Sequence, residues 1–413
     1  MNKELHLNVD NLILFIVSFF LYTGYYSGLG LIISLGFKDY SRFYSVPIRI
    51  LISIAILSYL IKKMNKRYNY SLYVLLVMMS LFFIHYSMMI FLNIHDQLYM
   101  LDKIEYIFYL ITWSILIFFY FLNFDLNKIN LAIKYFIYAG LLMGLTSFIL
   151  YRDFFLSGGG RISQMMYEDN NNFISPLALS YASVFNFIIF FSYIKDYKVK
   201  NKKLTILAWL MLLFSIPMFI LGASRGAFIA CILCFIYVWF FSSIKNKITS
   251  IIIAPIFTYL VYWVTISTGN NAFERFFNIK SDIDSNSSST SRLDLWNQAW
   301  IYFKESPLFG GYLEVGGVYP HNILFELLMN TGLIGLVLFG IPFLFLSLYS
   351  LIISNIKNGY LIPLILILGL CMHLFSGAIY FAPILFTALG LIGCQLNLRE
   401  GKINIHEKKN EIK

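Results

Sequence analysis

Apolar runs of roughly 20 residues, each long enough to cross a bilayer as a helix, recur along almost the whole of this chain. They fall at 12–35, 45–61, 70–94, 104–123, 131–151, 173–194, 204–222, 226–243, 249–267, 321–350, 361–378 and 380–396. Hydrocarbon offers no hydrogen-bond partner, so backbone inside it must satisfy its own N–H and C=O groups, in a helix or a closed barrel. The runs are continuous rather than alternating, which selects helices over barrel strands. Charged residues are only 13% of the 413 positions, against about a quarter in soluble domains. The expected fold is therefore an all-α polytopic membrane protein with about twelve transmembrane helices and no large soluble domain.

The basic residues set the expected orientation. With the N-terminus in the cytoplasm, the inside segments hold Lys3, Lys62, Lys63, Lys66, Arg67, Lys128 and Lys134. They also hold Lys195, Lys198, Lys200, Lys202, Lys203, Lys245, Lys247 and Lys357, and the tail's Arg399, Lys402, Lys408, Lys409 and Lys413. Lys and Arg resist translocation and are drawn to anionic lipid inside, so both termini are expected to be cytoplasmic. The same bias explains most of the formal charge of +10, which is then no argument for nucleic acid. Apolar sequence resumes through Leu29–Phe37, unlike the polar chain that follows a cleaved signal peptide. Cys231, Cys234, Cys371 and Cys394 all lie in expected spans, where they read as packing residues.

The chain divides into one membrane domain, 1–397, and a cytoplasmic basic tail, 398–413. Two polar excursions are expected on the outer side: a Gly- and Asn-rich loop at 152–172, and the longest loop, 268–320. Within the second, Ser291 and Asp294 have the spacing of a helix-starting capping box. Leu293, Trp296, Trp300 and Phe303 follow at helical spacing until Pro307 ends the run. Such a helix suits the headgroup level of a membrane, or packing on the outer ends of the spans. Gly24/Gly28 and Gly140/Gly144 have the spacing that lets membrane helices approach closely.

Several residues could carry chemistry on that side. Arg225, in Gly222-Ala-Ser-Arg-Gly226 between two closely spaced spans, has a planar fork suited to phosphate oxygens; the plain alternative is snorkelling to headgroups. Arg292, in the amphipathic helix, could share an anion with Arg225, or be a solvated surface charge. Arg161, after Gly158-Gly-Gly160, is a third cation, and those glycines lack the Gly-Lys-Ser/Thr ending of a P-loop. His321, in Tyr319-Pro-His-Asn322, lies at the mouth of span 321–350, and a histidine can take a proton near neutral pH or simply cap a helix. Asn322 and Glu326 follow it. An acid that deep in a span is a functional candidate, or is favoured by the positive helix start. His85 and His373 have no acidic neighbours in sequence and read as packing. Asp282, Asp284, Glu305 and Glu314 form no recognisable metal motif, so neither a metal nor a cofactor is expected.

Taken in order, Ser224-Arg225-Gly226, Ser291-Arg292 with Trp296 and Ala299, Ser306-Pro-Leu-Phe-Gly-Gly311, and His321-Asn322 before Gly332 and Gly335 resemble the O-antigen ligase/polymerase superfamily of bacterial membrane glycosyltransferases. The resemblance covers roughly 150–350. It implies a GT-C-like fold and metal-independent, inverting transfer outside the cytoplasmic (inner) membrane. The donor would be an undecaprenyl-diphosphate-linked oligosaccharide. Arg225 and Arg292 would hold the diphosphate as it leaves, and His321 would orient or deprotonate the acceptor hydroxyl. Arg161, Asn322 and Glu326 would assist in binding substrate.

Polymerisation of repeat units into O-antigen or capsular polysaccharide is favoured over ligation to lipid A–core. The Tyr- and Phe-rich spans suit sugar stacking. Membrane lipid, a chain-length regulator and a flippase are the implied partners, and nucleic acid is not. The competing class is a transporter of the same lipid-linked sugars. It would carry matching halves and midplane polar sites, and the sequence has neither feature.

Overall fold

The structure, a computed structural model, describes residues 9–37, 40–63, 68–156, 174–196, 201–244, 288–352 and 359–411, with a few isolated residues between 247 and 266. The elements in chain order are α1 (Val9–Phe20), α2 (Thr23–Ser34), α3 (Ser41–Lys62), α4 (Tyr70–Leu92) and α5 (Lys103–Leu110). A π turn (Ile111–Ile115) joins α5 to α6 (Leu116–Leu122), and a 3-10 turn (Leu126–Lys128) leads into α7 (Ile129–Leu156). Then come α8 (Pro176–Asp196), α9 (Lys202–Gly222), α10 (Arg225–Phe241), α11 (Ser288–Glu305), α12 (Ile323–Ile352) and α13 (Leu361–Phe375). A last 3-10 turn (Ile379–Phe381) precedes α14 (Pro383–Glu411). The described residues contain no strand beyond one isolated bridge, Val315 with Val318.

The chain is a multi-pass helical membrane protein. Among the described residues, seven helices are long and apolar enough to cross a membrane, or eight if the bent pair α1–α2 is one span. Three more expected spans are shorter apolar helices: Arg225–Phe241, Leu361–Phe375 and Pro383–Leu398. The 17 residues of α10 rise only about 25 Å, less than the roughly 30 Å of a hydrocarbon core. Expected span 249–267 lies outside the described residues. The run 12–35, expected as one helix, is instead two helices meeting at 63°. In α14 the apolar stretch stops at Leu398, but the helix itself continues to Glu411.

Two compact units divide the chain. The first comprises 1–59, 125–279 and 359–368. In it α8 packs on α7 and α9, and α1 and α2 pack on α7. The glycine pair in α7 makes close approach possible: a side chain at Gly140 would collide with Asn186 and Met211, and one at Gly144 with Phe214. Asn186 lies between these helices with its Nδ2 donating to Ser215 Oγ at 2.9 Å.

The second unit comprises 60–124, 280–358 and 369–413. Here α14 packs on α6, α12 on α4, and α11 on α12. Gly390 of α14 lies against the Phe118 carbonyl and Phe121 of α6, and Phe339 of α12 meets Phe82 of α4 at 5.0 Å between ring centroids.

Candidate functional site

The residues of interest in the second unit are positioned by an interruption in α12. At Gly332 the backbone takes φ 60° and ψ −160°, a region essentially reserved for glycine. A regular helix would pair Leu333 N–H with the Met329 carbonyl and Ile334 N–H with the Asn330 carbonyl. The segment 307–312 replaces both bonds. Leu333 and Ile334 donate instead to the carbonyls of Pro307 (2.9 Å) and Leu308 (3.2 Å). Gly311 donates to Met329 (3.1 Å) and Asn330 (3.0 Å), and Tyr312 donates to Met329 (3.0 Å). Gly310 lies so close to the Asn330–Thr331 backbone that no Cβ would fit. The Ser306-Pro-Leu-Phe-Gly-Gly311 motif and Gly332 are therefore two halves of one joint.

From this joint the chain runs through Leu313 and Glu314 into a tight reversal. Val315 and Val318 exchange N–H···O bonds of 2.8 and 3.2 Å across Gly316 and Gly317, both with positive φ. The returning strand carries Tyr319, Pro320 and His321. Segment 93–106 clamps the outgoing one. Gln97 Nε2 donates to the Gly311 carbonyl at 2.7 Å, and its Oε1 accepts from Leu313 and Glu314 amides. Glu314, 2% exposed, accepts from Met100 N at 2.9 Å and from the Tyr106 hydroxyl.

His321 itself has φ 56°, a left-handed conformation uncommon for a residue with a Cβ. Asn322 Oδ1 then caps α12, accepting from Leu324 N (2.9 Å) and Phe325 N (3.4 Å). The side-chain oxygen of Asn322, a residue expected to assist in binding substrate, is thus engaged in the cap. The His321 ring is half-buried, 4.3 Å from the Tyr319 ring, with Nδ1 3.4 Å from the Ser376 carbonyl at the end of α13. Burial, and after it the charge of Arg292, push the imidazole below its ordinary pKa, with the Ser376 carbonyl opposing them. The net effect favours the neutral ring. Tyr319 is pushed up to about 12, chiefly by burial and by Glu326, with Arg292 opposing.

Arg292 sits in α11, which begins at Ser288 rather than at the expected cap Ser291. Serine and threonine cost a helix only a few tenths of a kcal/mol, so it runs back through them. Trp296, one turn beyond Arg292, donates its indole N–H to the Pro320 carbonyl at 2.9 Å and stacks on Phe325 at 5.6 Å. Of the two places expected for this helix, the membrane surface and the outer ends of the spans, Trp296 takes the second. Trp300 stays 41% exposed, with Lys304 Nζ 5.8 Å from its ring.

Glu326 differs most from expectation. It is 1% exposed, accepts from the Tyr86 hydroxyl at 2.6 Å, and holds the Ile379 amide with both oxygens at 3.0 Å. The carboxyl is committed to the scaffold instead of opening toward a ligand.

Arg225 belongs to the first unit. There α9 ends at Ala223 (φ 41°), and Ser224 caps α10 while its own amide donates to Ser180 Oγ at 3.2 Å. Two residues join the helices, and Arg225 is the first residue of α10, half-buried. Arg161 lies outside the described residues.

The structure thus brings Arg292 and His321 into one electrostatic neighbourhood and adds Tyr319, Gln97, Glu314, Tyr106 and Ser376, which sequence reasoning did not single out. The Val-Gly-Gly-Val turn was the one available signal, since Gly-Gly between β-branched residues marks a hairpin. Residues 210–340 match the sequence model of a family described as O-antigen ligase, a stretch that includes Arg225, Arg292, His321, Asn322 and Glu326. No curated protein matches the chain.

Proposed function

We propose, from the match of residues 210–340 to the O-antigen ligase family, whose members transfer glycosyl groups, that the chain polymerises undecaprenyl-diphosphate-linked repeat units into a surface polysaccharide. The acceptor hydroxyl attacks the anomeric carbon of the donor glycan and loses its proton to His321. The bond from that carbon to the diphosphate oxygen breaks, and the lipid diphosphate departs with the electron pair, inverting the centre. Arg292 holds the diphosphate and balances its charge as it leaves. No step in this scheme calls on a metal. The reaction takes place on the non-cytoplasmic side of the inner membrane, with both termini inside.

The observation that carries this reading is His321 in a left-handed conformation, on a turn braced from both sides, with burial and the Arg292 charge favouring its neutral ring. A base must be unprotonated before it can act, and a strained backbone at a braced turn is typical of a functional position. Polymerisation is preferred to ligation for the aromatic richness of the chain, 30 Tyr and 41 Phe, since such rings, where exposed, suit stacking of sugars.

The test is the glycan made by cells carrying a deletion, then complemented with His321→Ala. The deletion is expected to give surface glycan stopped at one repeat unit. Long lipid-linked chains accumulating instead would make the enzyme a ligase. His321→Ala, inserted at normal level, should reproduce the deletion; normal chain length and yield would remove His321 from the mechanism.

A further inference from the structure

The turn that follows α13 is gripped at both ends of a single peptide. The Ile379 amide donates to both oxygens of Glu326 at 3.0 Å, while the Ile379 carbonyl accepts from Ser114 Oγ at 2.7 Å, in the π turn between α5 and α6. Glu326 is fixed in its turn by the Tyr86 hydroxyl at 2.6 Å. Three residues back along the same turn, the carbonyl of Ser376 faces His321 Nδ1 at 3.4 Å. Ser376 and Gly377 donate their amides to Met372 at 2.9 and 2.8 Å, closing the end of α13.

A carbonyl oxygen only accepts. The contact with Ser376 therefore requires the proton on Nδ1 and leaves Nε2 with the free lone pair. We propose that Glu326 is a positioning residue. By clamping the 376–379 turn through Ile379, it holds the Ser376 carbonyl against His321 and so selects the tautomer whose Nε2 can take a proton from the acceptor hydroxyl. The proposal rests on His321 acting as the base, and it replaces the expected substrate contact at Glu326. It also explains why an acid is kept inside a membrane helix, where it is costly: all three of its contacts bring a donor to a carboxyl oxygen.

The test reads the tautomer directly and needs no substrate. Protein labelled with 15N-histidine in detergent is examined by NMR at neutral pH, with His321 assigned by its loss in His321→Gln. The wild type should show Nδ1 protonated and Nε2 bare. In Glu326→Ala the Nε2-protonated form should become at least as abundant, and chain extension in cells should fall on the order of 10-fold, the low end for loss of an orienting partner. Glu326→Gln should restore both to within about threefold of wild type, since its amide oxygen can still take the Ile379 N–H while the Tyr86 hydroxyl turns to accept. Tyr86→Phe, which keeps the ring and loses one bond, gives the same shift to a smaller degree should Glu326→Ala fail to fold. A wild-type His321 protonated on Nε2, or a tautomer unmoved in both Glu326→Ala and Tyr86→Phe, would overturn the proposal. Normal chains from His321→Ala overturn the base itself, a separate failure that the NMR result does not touch.

Discussion

Trp296 gives its indole N–H to the carbonyl of Pro320, 2.9 Å away, and so ties the helix bearing Arg292 to the residue next to His321. Trp296→Phe keeps the stacking on Phe325 and removes only the bond. A bond of this kind contributes about 1 kcal/mol, so chain extension should drop roughly fivefold. Trp300→Phe, at an exposed ring on the same helix, should leave it unchanged. Glycan yield per unit of inserted protein checks both; equal losses would mean that the indole bond has no part in placing the arginine.

The pH profile follows from the imidazole. His321 must be neutral to act as base, so activity is lost as pH falls through its pKa, which burial and Arg292 hold below the ordinary value of about 6.5. Rates in reconstituted vesicles should be flat around neutrality, with the acid limb below that value. Arg292→Gln removes a positive charge that disfavours the imidazolium, and the limb should move up in pH along with the loss of rate. A limb that stays in place would separate Arg292 from His321.

Gly332 cannot become alanine cheaply. Its dihedrals alone would cost an alanine about 1–3 kcal/mol, and the added Cβ would meet the backbone of Leu308 and Phe309. Gly332→Ala should lower the thermal unfolding midpoint in detergent by several degrees. Gly340→Ala, on the same helix with open space around it, should leave it equal or slightly higher.

At the α9–α10 junction, Arg225→Lys retains charge and loses the planar fork. A phosphate-gripping role predicts a fall in activity of about tenfold or more, measured as chain length in complemented cells. Full activity would reduce Arg225 to a residue that reaches for headgroups.

The helices were legible because each is written as its own apolar run, and α4, α8 and α9 begin and end within a few residues of expectation. What was hidden has a common cause. The run 12–35 is apolar throughout, so nothing in it announces the 63° bend. Gly332 and Gly335 were read as features of one continuous span, whereas Gly332 is intelligible only beside Pro307 and Leu308, whose carbonyls take the displaced amides. Gln97 and Glu314 meet across more than 200 positions, and no local pattern marks a polar residue whose partner is that distant. Arg292 and His321 stood out by residue type and by their order along the Ser-Arg and His-Asn motifs. Asn322 could have been read as a cap from its place just before an apolar run.

A helix that lends two of its rungs to a neighbouring strand loses the freedom to straighten alone. Pulling α12 into a regular rod would orphan the amides of Gly311 and Tyr312, at the start of the stretch that leads to His321. Any load that tends to straighten α12 is therefore shared with the segment that ends at His321.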